Sequence, residues 1–507
     1  MNKSRLSGCF DVDAKSSSEF TRSKDSVKKS ESLDLIEIDS NRVQYLYFRR
    51  WLILFLFSFI CLLNSFQLNL YTDIQNVIVM IYRPGSPDDK SSQYNSVNWL
   101  SMIYLVANIL CIIPAILING CIGFRFCCLM GVSLSCVGSW VKYVSIRPAI
   151  FEVLFLGQVI CGISQSFINF CLIRISALWF SKNEVATAIS VGLLSSKLGS
   201  LVSFIIMPYL ITKRNTPDQN EFYFNIVYLT ISILVSLSLL ASLLLVKDQP
   251  DKPPSLAQVE IRKKNKENTS RSYNDKFTDT LTSCLEIWSK RNFIFIAISH
   301  GFLIGSTYSL SFLLNQILFE NYYQEESNKI GIIELFLLVS GIFGSLLSGL
   351  LIDYTKSFKI LIVTSYSFSF VLMVVFTITI DFDIWFPFCS IFLFGFFIGA
   401  YIPISYEYAI EKTYPTSEGT SCGFLIIISS IFGMVLTYSQ GFLTVQLGVF
   451  YGNFLLCILV LVGLIMTTTL GTGYKRQNIY EDNRNSKTSS KINFEREDSQ
   501  SSKNYRN

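Results

Sequence analysis

Twelve stretches of about 20 consecutive, mostly apolar residues punctuate this sequence, near 51–71, 98–119, 126–144, 150–173, 185–211, 222–246, 292–318, 331–352, 359–380, 384–410, 420–444 and 449–471. A helix needs about that length to cross roughly 30 Å of hydrocarbon. Because lipid offers the backbone no hydrogen-bond partners, such runs are expected to be helices, and the chain an all-α polytopic membrane protein. Composition agrees: 50% of the 507 residues are hydrophobic and only 16% are charged, where a soluble domain carries about a quarter. Mean hydropathy is +0.43. Residues 1–48 are polar and Ser-rich and contain no apolar core of a signal peptide.

Basic residues set the expected orientation, since loops rich in Lys and Arg stay in the cytoplasm. With the N-terminus inside, the inner segments hold 34 of the 42 Lys and Arg, the outer loops hold 7, and Lys197 lies within a span. Both termini are therefore expected in the cytoplasm. The two Asn-x-Ser/Thr sequons, Asn2 and Asn268, then fall inside and go unglycosylated. None of the 13 cysteines falls in an outer loop, so no disulfide framework is implied. Adjacent Cys127 and Cys128 read as packing residues.

The spans divide six and six around a charged linker. The expected organisation is a tail (1–48), a six-helix bundle (49–246), a cytoplasmic linker (247–291), a second six-helix bundle (292–471) and a second tail (472–507), with both tails disordered. Parallel six-helix halves with a solute site between them near the midplane are the plan of major facilitator transporters. A weak internal echo supports it: "LWFSKNEVATA" precedes span five and "KTYPTSEGTSCG" precedes span eleven. Each puts a glutamate, Glu184 or Glu418, at a helix start, where the dipole favours an anion and where capping is the simpler reading. Between spans eight and nine, "GLLIDYTKSFK" offers Gly349 for close helix approach, Asp353 to accept bonds from a helix N-terminus, and basic Lys356 and Lys359. This resembles the major facilitator loop signature, which implies a latch at the inner gate. The matching first-half turn, "NGCIGFRF", has Gly120 at the aspartate position, so an asymmetric latch is expected.

A narrower resemblance rests on ordered blocks: "RRWLILFLFSFICLLNSFQ", "WLSMIYL", "GSWVKY", "LGQVICGISQSF", "ALWFSKNEVATA", "YSLSFLLNQIL", "GLLIDYTK" and "YEYAIEKTYPTSEGTSCG". Together, from about Arg49 to Gly471, they resemble the feline leukaemia virus subgroup C receptor family of major facilitator transporters. The resemblance implies transport of choline and ethanolamine, with heme export also credited to the family. It implies a cage for the quaternary ammonium built from four positions. Here Leu68 stands at the family's tryptophan, Gln165 and Tyr308 keep the span-four glutamine and the span-seven aromatic, and Ser430 stands at the span-eleven glutamine.

Polar stripes outline the expected cavity. Asn64, Gln67 and Tyr71 share a face of span one, Gln158, Gln165 and Asn169 a face of span four, and His300, Thr307, Ser311 and Asn315 a face of span seven beside Tyr308. Ser430, Thr437 and Gln440 do the same in span eleven. Lys197 stands in mid-span, where a charge costs roughly 2.5–3.5 kcal/mol on insertion scales. Three readings stay open for it: an ion pair with Glu407 of span ten, a contact to an anionic or zwitterionic solute, or snorkelling to the interface. His300, the only histidine, and Glu407 are candidates for proton coupling. One histidine also excludes bis-histidine ligation of heme.

No Ser/His/Asp set, metal-ligand cluster or phosphate-cradling glycine loop is present, so no enzyme, ATP-driven pump, cofactor or nucleic-acid partner is expected. The expected activity is carriage of a small organic solute by alternating access in a monomer: choline or ethanolamine first, heme second. A carrier of an anionic or zwitterionic metabolite and a non-transporting receptor are the alternatives. The expected membrane is the plasma membrane, with endolysosomal and mitochondrial membranes as alternatives. "ESLDLI" (Glu31 to Ile36) has the form of an acidic dileucine sorting signal, and "FTDTLTSCLEIWSKR" that of an amphipathic surface helix with Leu281, Leu285 and Trp288 on one side.

Overall fold

Helix after helix follows from the apolar runs, because only the intrahelical ladder satisfies the backbone in a bilayer. The computed structural model describes residues 48–72, 74–82, 90–147, 149–180, 184–211, 216–250, 273–321, 327–355, 357–382, 385–414 and 416–471. The expected tails and the sorting-signal stretch lie outside them. The first half comprises α1 (Phe48–Asn69), a short α2 (Gln75–Tyr82), α3 (Lys90–Cys121), α4 (Phe124–Ser145), α5 (Phe151–Trp179), α6 (Val185–Leu210) and α7 (Pro217–Leu245). After α8 (Tyr273–Ile287), the second half comprises α9 (Arg291–Asn321), α10 (Ser327–Thr355), α11 (Phe358–Thr379), α12 (Trp385–Thr413), α13 (Glu418–Leu447) and α14 (Val449–Thr468). Among these, 12 are long and apolar enough to cross a membrane. They form the two six-helix bundles of a major facilitator fold. Large apolar side chains such as Phe55, Leu110, Leu244 and Ile360 stay exposed on the outside of the bundles, as lipid requires and water would not tolerate.

Local chemistry sets the helix ends. Thr216 caps α7 by accepting from the Gln219 backbone at 3.3 Å while Gln219 Oε1 accepts from the Thr216 backbone, a capping box with Pro217 in the first turn. Gly123, at φ 130°, makes the break between α3 and α4, a conformation that a side chain resists. An aspartate does reach this turn, from elsewhere in the chain: Asp248, just past α7, accepts from the Arg125 backbone at 2.8 Å. It meets the positive end of α4. The last carbonyls of α7 in turn accept from Arg125 (Leu243, 3.0 Å) and Arg49 (Leu245, 3.1 Å).

Packing within each half relies on glycines that let backbones approach. A Cβ on Gly199 of α6 would overlap the Leu62 carbonyl of α1, and one on Gly399 of α12 would overlap the Gly341 carbonyl of α10. Lys142, near the end of α4, is buried. Its ammonium donates to Gln158 Oε1 at 3.1 Å, and Gln158 Nε2 donates to the carbonyls of Leu100 (3.1 Å) and Gln67 (3.3 Å). A lysine near a helix end need not reach water when amide oxygens solvate it inside.

The linker helix α8 is amphipathic as expected, with Phe277, Leu281 and Leu285 exposed along one side. Trp288 departs from that stripe: it lies past the helix end and packs edge-on against Phe293 and Phe424.

Candidate functional site

The two bundles enclose a cavity of about 270 Å³ to which α1, α3, α5 and α6 of the first half and α9, α10, α12 and α13 of the second contribute. Its floor and walls are built by rigid helix faces. On α1, Leu68 borders the cavity and Asn69 donates to Ser65 O (3.1 Å) and to Ser200 Oγ (2.7 Å), which ties α1 to α6. On α6 the lining residues Ser196, Lys197 and Ser200 follow one another, with the serine hydroxyls bonded back to the preceding turn. The close approach at Gly199 fixes the rotation of this helix and so the position of Lys197.

Opposite polar groups come from α5, where Gln165 Nε2 donates to Asn169 Oδ1 at 3.1 Å and Gln165 Oε1 has no hydrogen-bond partner among the described residues. Aromatic surface comes from several helices. Tyr308 stacks on Phe312 (centroids 6.4 Å apart) with Gly433 behind it, and Tyr104, Phe204 and Tyr406 also line the space. His300 lines it as well, flanked by Tyr401 at 5.7 Å and Tyr406 at 5.8 Å, its Nδ1 sharing a hydrogen bond with Ser405 Oγ at 3.1 Å.

Among the described residues, Lys197 is the only Lys, Arg, Asp or Glu that lines the cavity, and no ion pair or hydrogen bond holds its ammonium. Glu407, the expected ion-pair partner, is not among the lining residues.

Of the residues the sequence singles out, Leu68, Gln165, Tyr308, Lys197 and His300 come together here. Asn64 and Gln67 do not. Both are buried within the first bundle, where Asn64 donates to Ser164 Oγ at 3.2 Å and Gln67 Oε1 accepts from Cys161 at 3.2 Å. Ser430 is likewise buried away from the cavity, and its neighbour Ser429 takes the lining position. The side chain of Asn315 lies outside the described residues. Tyr104, Asn108 and Tyr406 were not singled out; the four-residue spacing of Tyr104 and Asn108 in span two is the signal that could have found the first two.

At the linker end of the helices the halves meet. Glu418, in the first turn of α13, pairs with Arg174 of α5 at 3.2 Å, a bond between the two bundles. Glu184, the residue before α6, pairs instead within the first bundle, with both oxygens on Arg50 (2.7 and 3.0 Å). Its side chain makes no cap hydrogen bond. Gly349 of α10 abuts Ser190 of α6, where a Cβ would lie 3.2 Å from the serine hydroxyl, and Gly423 of α13 packs on Ile112 and Ile116 of α3. The side chain of Asp353, and Lys356 altogether, lie outside the described residues.

Known proteins fit this architecture. Residues 45–438 match the model of the Major Facilitator Superfamily. The chain is 35% identical to the choline/ethanolamine transporter flvcr2a of Danio rerio, over 89% of this chain and 92% of that protein. It is 32% identical to the choline/ethanolamine transporter FLVCR2 of Homo sapiens, over 90% and 82%. Among solved structures it is similar in fold to the E. coli fucose:proton symporter FucP, with a TM-score of 0.63 at 12% identity over 84% of this chain and 100% of the other.

Proposed function

The chain belongs to the major facilitator superfamily and, within it, to the feline leukaemia virus subgroup C receptor family, and on that premise we propose that it carries a small ammonium-bearing solute of the choline and ethanolamine class through the central cavity. The observation that carries this reading is an aromatic-lined space shared by four helices from each half. Ring faces attract a desolvated organic cation by about 0.5 to 2 kcal/mol per contact, and Tyr104, Tyr308, Phe312 and Tyr406 all line the space. A volume near 270 Å³ lies at the low end of small-molecule pockets and suits such a solute better than a tetrapyrrole.

Movement would come from alternating access, by rocking of the two halves about the site. The contacts at the linker end, Arg174 with Glu418 and Gly349 with Ser190, support a state closed on that side. By the distribution of Lys and Arg that side is cytoplasmic. Transport and mere sensing separate in one experiment. Purified protein in liposomes should accumulate radiolabelled choline or ethanolamine saturably, whereas saturable binding without flux would make the molecule a receptor and sink the reading.

Two variants refine it. Leu68→Trp would return an aromatic face to the cavity, and choline should bind about 2- to 30-fold more tightly in an equilibrium assay; unchanged or weaker binding would count against an aromatic cage at this position. Glu418→Gln removes a partly buried pair between the halves, worth about 1 to 2 kcal/mol. The linker side should open more often, read as faster labelling of a Ser190→Cys reporter by an impermeant thiol reagent from that side.

A further inference from the structure

We propose that the solute carries an anionic group as well as its ammonium, and that Lys197 binds that group. The proposal rests on the reading of the cavity as a site for an ammonium-bearing solute and names a small zwitterion as the preferred solute of that class.

The cavity is polar in a lopsided way. Lys197 brings a cation to it, and among the described residues no carboxylate lines the space to balance that charge. Its ammonium has no ion pair or hydrogen bond among those residues. A lysine in mid-span persists where it faces a watery cavity, a partner or a ligand; Lys197 faces the cavity and has no partner among the described residues. The close contact of Gly199 with the α1 backbone keeps this stretch of α6 from turning its lysine elsewhere.

A bare cation such as choline would enter beside Lys197 against like charge, with nothing acidic to offset it. A zwitterion avoids this. Its anion neutralises Lys197, assisted by the hydroxyls of Ser196 and Ser200 on the same helix, and its ammonium takes the ring faces of Tyr308 and Phe312. Gln165 Oε1, buried and without a partner among the described residues, is an acceptor for an ammonium N–H or a hydroxyl.

Equilibrium binding of three probes to the full-length protein in nanodiscs tests this: choline, trimethylglycine (the carboxylate form) and phosphocholine (the phosphate form). Wild type should bind at least one zwitterion 10-fold or more tightly than choline. Lys197→Gln should erase that preference by weakening the zwitterion and strengthening choline, and Lys197→Arg, which keeps the charge, should retain it. Which zwitterion responds tells carboxylate from phosphate. A wild type that prefers choline, with a ratio that Lys197→Gln leaves unchanged, overturns the proposal and leaves the ammonium site standing. If none of the three probes binds a wild type that elutes as a folded monomer, the ammonium reading fails and the proposal falls with it.

Discussion

Gly399→Leu is expected to yield no folded carrier. The helices α10 and α12 cross with their backbones in contact, through Gly341 and Gly344 on one side and Gly395 and Gly399 on the other. A Cβ on Gly399 would overlap the Gly341 carbonyl, and one on Gly344 would overlap the Phe396 carbonyl. Overpacking commonly costs 1–3 kcal/mol when side chains can shift, and here the obstructing atoms are backbone, so about 3 kcal/mol or more is expected. That is a large share of a total stability of about 5–15 kcal/mol. The same crossing supplies Gly395 and Gly399 to the cavity wall, so even a surviving fraction would have a distorted site. Size-exclusion of the fluorescently tagged protein should show loss of the monodisperse peak. Gly441→Ala is the control: its Cβ would meet Leu313 at an ordinary 3.6 Å, and the peak should persist. A monodisperse Gly399→Leu protein with wild-type thermal stability would refute the crossing.

The fold was legible because one physical demand, satisfying the backbone in lipid, writes itself into the sequence as length and hydropathy. Boundaries were less so. The second span reads as beginning near residue 98, yet α3 starts at Lys90, since a helix continues into polar sequence once it leaves the hydrocarbon. The candidate site was half legible. Lys197 stands out because a charge in an oily run has few explanations; Leu68, Gln165 and Tyr308 follow from the family resemblance. Asn64 and Gln67 lie on the same helix as Leu68, and Ser430 is next to the lining Ser429, yet all three are buried in helix contacts. Polar groups serve both cavity and packing, and the periodicity of a single helix does not tell the two apart. That distinction between Ser429 and Ser430 turns on about 100° of helix rotation, which neighbouring helices set. The partners of Glu184 and Glu418 were invisible for a related reason: Arg50 and Arg174 lie 134 and 244 residues away in sequence. A glutamate at a helix start has a local explanation in capping, and only the tertiary structure supplies the longer-range one.

On the proposed alternating access, solute passes because the halves part at the linker end after closing there. Ser190 of α6 and Gly349 of α10 face each other across the halves, with 3.8 Å between the serine Cβ and a Cβ built on the glycine. That separation is ideal for a disulfide. The measurement is choline uptake into liposomes by Ser190→Cys/Gly349→Cys protein, oxidised and then reduced, beside each single variant treated identically. The oxidised double variant should lose at least 10-fold of its uptake, still bind choline from the other side, and regain transport on reduction, with the single variants unaffected by oxidation. Uptake at the unlocked rate while the crosslink is complete would contradict it.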